Sequence, residues 1–244
     1  MVNRGPCKPV QLIGTPIGNL GDISFRAVEC LRSADVIACE DTRHSSRLLS
    51  HLEISGKELV ALHDHNEQQR ASGLVERAAA GEQIVFLSDA GTPTISDPGY
   101  RLVNCCIEAE VPVEVIPGPS AVITALAGSG LPTDAFYFGG FLPVKSGKRL
   151  RELEAALART ETSLYFESPY RIAKTLHAIS GLDVDREVCV ARELTKKFET
   201  YHRGSAAELA DKFGARKAKG EITLVIRGRG REKKSDRNRL QQKE

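Results

Sequence analysis

The amino-acid sequence predicts an α/β protein with a mostly parallel N-terminal sheet and a smaller, mixed α/β domain in its second half. Up to about residue 130, short apolar runs alternate with amphipathic stretches across short connections. That is the pattern of a parallel sheet covered on both faces. Further on, two candidate strands follow one another with no helix between them, which adds an antiparallel component. The 244 residues are 41% hydrophobic and 27% charged, enough for one large domain or two smaller ones.

In order, the predicted strands of the first half are Val10–Ile13, Val36–Cys39, Leu59–Leu62, Ile84–Leu87 and Val113–Ile116. Between and after them lie amphipathic helices at Phe25–Leu31, Ser45–Leu52, Glu67–Ala80, Leu102–Ala109 and Ala121–Ala127. Gly128–Asp134 reads as a linker, which puts the domains at 1–131 and 132–228. The second half gives a strand at Ala135–Phe141, a charged helix at Gly147–Thr160, a strand at Ser163–Phe166 and a helix at Pro169–Ile179. Val188–Ala191 and Glu199–His202 read as adjacent strands, followed by a helix at Ala206–Phe213 and a last strand at Ile222–Ile226. Residues 229–244 form a basic tail of disordered composition.

The net charge of +2 is uneven: from Arg227 to Glu244 there are eight basic and three acidic residues, so the body is slightly acidic. Such a body is no broad nucleic-acid-coating surface, and polyanion affinity must come from local patches or the tail. No apolar run approaches the roughly 18 residues of a membrane span, and the N-terminus lacks a signal-peptide core. Six scattered cysteines without metal spacing read as reduced thiols of a cytoplasmic protein.

Polar and glycine-rich clusters follow the predicted strands, where open α/β sheets bind ligands. Ser88-Asp-Ala-Gly-Thr-Pro-Thr-Ile-Ser-Asp-Pro-Gly-Tyr100 is the most informative. Glycine lets backbone approach a ligand and proline stiffens the loop. Its bland reading is a turn in which Ser96 or Asp97 caps a helix starting at Pro98. Gly14-Thr-Pro-Ile-Gly-Asn-Leu-Gly-Asp22 has neither dinucleotide nor phosphate-loop spacing. Ile116-Pro-Gly-Pro-Ser-Ala121 suits a helix start at Pro119, with free amides facing a ligand or merely a capped turn. Glu40-Asp-Thr-Arg43 and His63-Asp-His-Asn-Glu67 invite substrate orientation, metal binding or helix capping by Asp41 or Asn66. Metal is the weaker reading, because His63 and His65 on an extended segment point to opposite sides. Glu167-Ser-Pro-Tyr-Arg171 fits a Ser168 cap before Pro169, Ala191-Arg-Glu-Leu-Thr-Lys-Lys197 fits surface ion pairing, and Lys219-Gly-Glu221 fits a hairpin turn.

Each motif is weak alone, but their order is not. The series from Gly14 to Asp22, Glu40 to Arg43, Asp89 to Tyr100, Pro117 to Ala121, Ser129 to Asp134, Gly140 to Pro143, Glu167 to Arg171, Ala191 to Lys196 and Lys219 to Glu221 resembles the ribosomal RNA small subunit methyltransferase I family. That family belongs to the tetrapyrrole methylase superfamily, and the resemblance covers about residues 10 to 228. Tyr170 stands where the family usually has His. The resemblance implies a two-domain tetrapyrrole methylase-like fold and a homodimer. It also implies S-adenosylmethionine-dependent 2′-O-methylation of a cytidine in the decoding region of 16S ribosomal RNA, free or in the small ribosomal subunit. Methylation of a small tetrapyrrole and non-catalytic RNA binding are the rival readings.

Carried onto this chain, the cofactor contacts implied are Asp89, Ala90, Gly91, Gly118 and Ser120 in the first domain. In the second they are Phe166, Ala191, Arg192, Gly220, Glu221 and Ile222. Asp41, Arg43, His63 and Asn66 would line the RNA side, and Arg43, Asn66, Lys196 and Lys197 are candidate RNA contacts. Glu193, Asp41 and His63 are unranked candidates for a general base.

Overall fold

The computed structural model describes residues 6–215 and 218–230. The chain forms two compact units that divide between Ala121 and Val122. Of the predicted tail, residues 231–244 lie outside the described residues.

The first unit holds five parallel strands, β1 (Val10–Ile13), β2 (Val36–Cys39), β3 (Glu58–Ala61), β4 (Ile84–Leu87) and β5 (Val113–Ile116), in the order β3-β2-β4-β1-β5. Four helices connect them: α1 (Phe25–Ser33), α2 (Thr42–His51), α3 (Glu67–Ala79) and α4 (Tyr100–Glu108). Alternate strand residues feed two cores. Val10, Leu12, Val36, Ala38, Ile84 and Phe86 pack with α3 and α4. Ile13, Ile37, Cys39, Val85, Leu87 and Ile116 pack with α1 and α2. Burial on both faces explains why β2 and β4 read as unbroken apolar runs. With all five parallel, every loop that follows a strand emerges at one sheet edge.

The second unit opens with α5 (Ala121–Ser129), which holds only its first residue in common with the first unit. The predicted linker from Gly128 is thus partly helix. The reason lies far along the chain: a side chain at Gly128 would strike the Tyr201 ring, whose hydroxyl donates to Thr124 O at 3.1 Å. The Arg203 guanidinium then caps the helix end, donating to Ser129 O at 3.0 Å and to Gly128 O.

The strands β6 (Phe136–Phe141), β7 (Thr162–Glu167), β8 (Glu187–Arg192), β9 (Thr200–Ser205) and β10 (Ile222–Ile226) form a mixed sheet in the order β6-β7-β10-β8-β9. The pair β6 and β7 is parallel; β10 runs antiparallel to β7 and β8, and β8 to β9. Three helices, α6 (Ser146–Ala158), α7 (Ile172–Leu182) and α8 (Ala206–Gly214), pack on one face around Tyr165, Val190 and Leu224. Helix α7 starts at Ile172 rather than at Pro169. Residues 168–171 first make a turn, in which both Arg171 N and Ile172 N donate to Ser168 O.

Candidate functional site

At the first unit's sheet edge, the loop after β1 is tied to its neighbours by backbone. Thr15 and Gly91 exchange hydrogen bonds at 2.8 and 3.1 Å, joining the Gly14–Asp22 loop to the one after β4. On the other side Gly14 and Gly118 lie in backbone contact: a Cβ on Gly118 would sit 2.6 Å from Gly14 O, and one on Gly14 2.7 Å from Gly118 N. Gly118 is therefore required by the loop packing whatever ligand it meets.

The loop after β4 holds Thr94 and Ser96 at φ 75° and 63°, the left-handed region that a β-branched residue rarely enters. Thr94 N donates to Pro98 O at 3.0 Å. Neither Ser96 nor Asp97 caps the following helix, which begins at Tyr100. The cap comes from Glu67 of α3, whose buried Oε1 accepts from Gly99 N at 3.0 Å and Leu102 N at 2.9 Å. Sequence reasoning missed this role, yet the signal was present: Glu67 lies on the apolar stripe with Ala71, Leu74, Val75 and Ala78.

Carboxylates gather at the same edge. Burial raises Asp97 to about 6, helped by Glu40, Asp89 and Asp64 and opposed by a hydrogen bond from Ser88. Glu40 is raised by burial and then by Asp89 and Asp64. Asp89 accepts from Asp41 N at 3.2 Å, and its Oδ1 lies 3.9 Å from His44 Nδ1. Mutual repulsion of this kind suits a positively charged ligand group such as a sulfonium. Among the described residues no group of three or more His, Cys, Asp or Glu could hold a metal ion. Asp97 was read from sequence only as a cap, and its perturbed titration is a mark of functional sites.

The three candidate bases are all engaged. Asp41 caps α2 and accepts from Arg43 N at 2.8 Å, Nε at 3.1 Å and Nη2 at 2.7 Å, which holds its carboxyl well below the usual range. The Asn66 amide is oriented by His63 N, which donates to its Oδ1, and by Ala61 O, which accepts from its Nδ2. Nδ2 therefore also donates to His63 Nε2 at 3.2 Å, which places the proton of a neutral ring on Nδ1, a buried atom with no hydrogen-bond partner among the described residues. His63 and His65 lie on a turn rather than an extended segment, and their rings meet edge-on with centroids 5.9 Å apart. Glu193, at φ 53°, accepts from Glu221 N at 2.9 Å, which first of all lowers its carboxyl, with help from Lys196.

In the second unit, register does the gathering. Phe166, Thr223 and Ala191 form one cross-strand row, and Glu167, Ile222 and Arg192 the next. Ala191 and Ile222 are buried, leaving mainly their backbone to a ligand. Arg192 holds the row's end together, donating to Thr200 Oγ1, Phe198 O and Lys219 O at 3.1–3.3 Å. Gly220, at φ 85°, leaves room for the Glu193 carboxylate that a side chain would strike. Lys196 pairs with Glu221 at 2.9 Å and Glu193 at 3.4 Å, whereas Lys197 is exposed, 5.7 Å from the centre of the Phe198 ring. Glu167 is buried and accepts from Ser168 N, Thr175 Oγ1 and Arg171 Nη2, each at 2.6 Å.

The fold is shared with enzymes of known structure. The chain superposes on diphthine synthase with a TM-score of 0.69 at 18% identity, covering 90% of each chain. For a cobalt precorrin-4 methyltransferase the TM-score is 0.64 at 19% identity, covering 90% of this chain and 94% of that one. Residues 9–210 match the family model of the Tetrapyrrole (Corrin/Porphyrin) Methylases. The chain is 51% identical to a ribosomal RNA small subunit methyltransferase I of Vibrio cholerae, over 90% of this chain and 77% of the relative. A protein of the same name from a Hydrogenobaculum species is 45% identical, over 89% and 94%. The chain belongs to the tetrapyrrole methylase family and, within it, to the ribosomal RNA small subunit methyltransferase I group. Its methyl donor is S-adenosylmethionine.

Proposed function

We propose that this chain methylates the ribose 2′-oxygen of a cytidine in the decoding region of 16S ribosomal RNA, acting in the cytoplasm as a homodimer. The observation that carries the reading is the 45–51% identity, over about nine-tenths of the chain, to relatives named for the small-subunit ribosomal RNA. When bound, S-adenosylmethionine supplies a methyl group already activated on a sulfonium. The chain's part is then to align, to balance charge and to take up a proton. We assign the donor to Asp89, Ala90, Gly91, Gly118 and Ser120 of the first unit and to Phe166, Ala191, Arg192, Gly220, Glu221 and Ile222 of the second. Holding donor and acceptor in line is worth on the order of 7–11 kcal/mol.

The ribose hydroxyl must lose its proton. Asp41 has both carboxylate oxygens engaged, His63 its Nε2 and Glu193 its Oε1. Asp97 joins them as a candidate, half-buried among other carboxylates and raised by burial to about 6. Arg43 and Lys197 supply exposed positive charge for phosphates, and Asn66 and Lys196 act from more constrained positions.

Mass spectrometry of 16S RNA from cells with and without the protein tests the reaction: one decoding-region cytidine should lose a ribose methyl group. An unchanged methylation pattern overturns it. Asp89→Leu should abolish the saturable heat of S-adenosylmethionine binding while thermal melting stays within a few degrees of the parent. A normal titration in that variant would remove Asp89 from the cofactor set.

A further inference from the structure

The entrance of α6 breaks the rules for a helix N-terminus. Its cap position is Lys145, without a side-chain cap, and its first turn has no acidic residue. Residues 141–151 carry four basic residues, Lys145, Lys148, Arg149 and Arg151, and no acidic one. Cations there oppose the helix dipole, so local stability does not account for them. Arg149 folds back on its own loop, donating to Val144 O at 3.2 Å, while Lys145, Lys148 and Arg151 stand exposed. The next carboxylate, Glu152, is turned inward to accept from the Tyr165 hydroxyl at 2.7 Å. Gly147 has an ordinary helical backbone, and a Cβ built on it meets nothing within 4 Å. Packing does not require glycine there, and its presence leaves the first amides of the helix bare. Phe141 and Val144 are exposed beside this cluster, and the Phe141 ring lies 5.2 Å from that of Phe166.

From this geometry we infer that the α6 entrance is a docking surface for the phosphate backbone of the substrate RNA, with exposed Phe141 available to stack a base. The inference rests on the RNA reading above and adds a surface to it. Positive charge, bare helix amides and an exposed ring are what single-stranded RNA requires, and the interleaved apolar residues are too few for a protein partner. Through Phe166, the surface adjoins the row assigned to the cofactor.

The full-length triple variant Lys145→Gln, Lys148→Gln, Arg151→Gln tests the surface, since all three side chains are exposed and glutamine keeps the helix. The probes are a decoding-region RNA transcript and small subunits purified from cells lacking the protein. For the transcript, affinity should fall at least roughly tenfold and the slope of log affinity against log salt should shrink by about 2. KM for RNA should rise with kcat nearly constant, and melting and S-adenosylmethionine binding should not change. Unchanged RNA affinity and salt slope overturn the surface alone. Unchanged transcript binding with lost subunit binding also overturns it, giving the patch to a protein contact. A parent protein that transfers no methyl to either probe overturns the RNA reading and the surface together.

Discussion

Asp97 ties the titration of one carboxyl to the stability of the first unit. An unfolded aspartate titrates near 3.9, whereas burial lifts Asp97 to about 6 in the fold. Between those values the folded protein holds more protons than the unfolded chain, so this group's contribution to stability falls as pH rises through that window. Asp97→Asn should remove that dependence and stabilise the protein at pH 7 by on the order of 1 kcal/mol, after discounting for partial exposure. Urea unfolding at pH 4.5 and 7 measures both effects, and the same variant should flatten the acidic limb of the pH–rate profile. Gly118 acts through contact instead. A methyl group there would lie 2.6 Å from Gly14 O, and Gly118→Ala should cost about 1–3 kcal/mol in denaturant unfolding, with or without cofactor.

Among the elements, the strands were the most legible. Four of the first five match their predicted bounds and β3 is displaced by one residue, because apolar runs between turn residues carry a strong period signal. Helix starts were less legible where the cap is not local. Ser96, Asp97 and Pro98 make a plausible start in sequence, but Ser96 takes a left-handed backbone, the helix begins only at Tyr100 and Glu67 does the capping from another helix. The extent of α5 was hidden for the same reason: Gly128 looks like a linker until Tyr201, 73 positions later, is seen to need its space. Glu67→Ala strips two buried amides of their acceptor and should cost about 1–3 kcal/mol each. Thermal melting would show the loss. Hydrogen exchange should place it at the start of α4.

At the scale of the molecule, the ordered motifs named the family while their separate chemistries stayed ambiguous. Glycines, prolines and capping residues serve turns and ligands alike, so only the structure shows that Gly118 and Gly220 have packing reasons to be glycine and that Arg192 clasps the start of β9 and two loop positions. Cofactor binding is the global test. At a hundred times its dissociation constant, S-adenosylmethionine should add about 2.7 kcal/mol to unfolding stability, seen as a concentration-dependent rise in melting temperature.

The Glu67 carboxylate has a mechanical consequence. Its helix springs from the His63–Asn66 turn, and the amides it grips open the helix that follows the Asp89–Gly99 loop. A shift in either segment pulls on the other through one buried side chain, so the two should travel in tandem. Protection of the Gly99 and Leu102 amides would then report motion on the histidine side as faithfully as motion on their own.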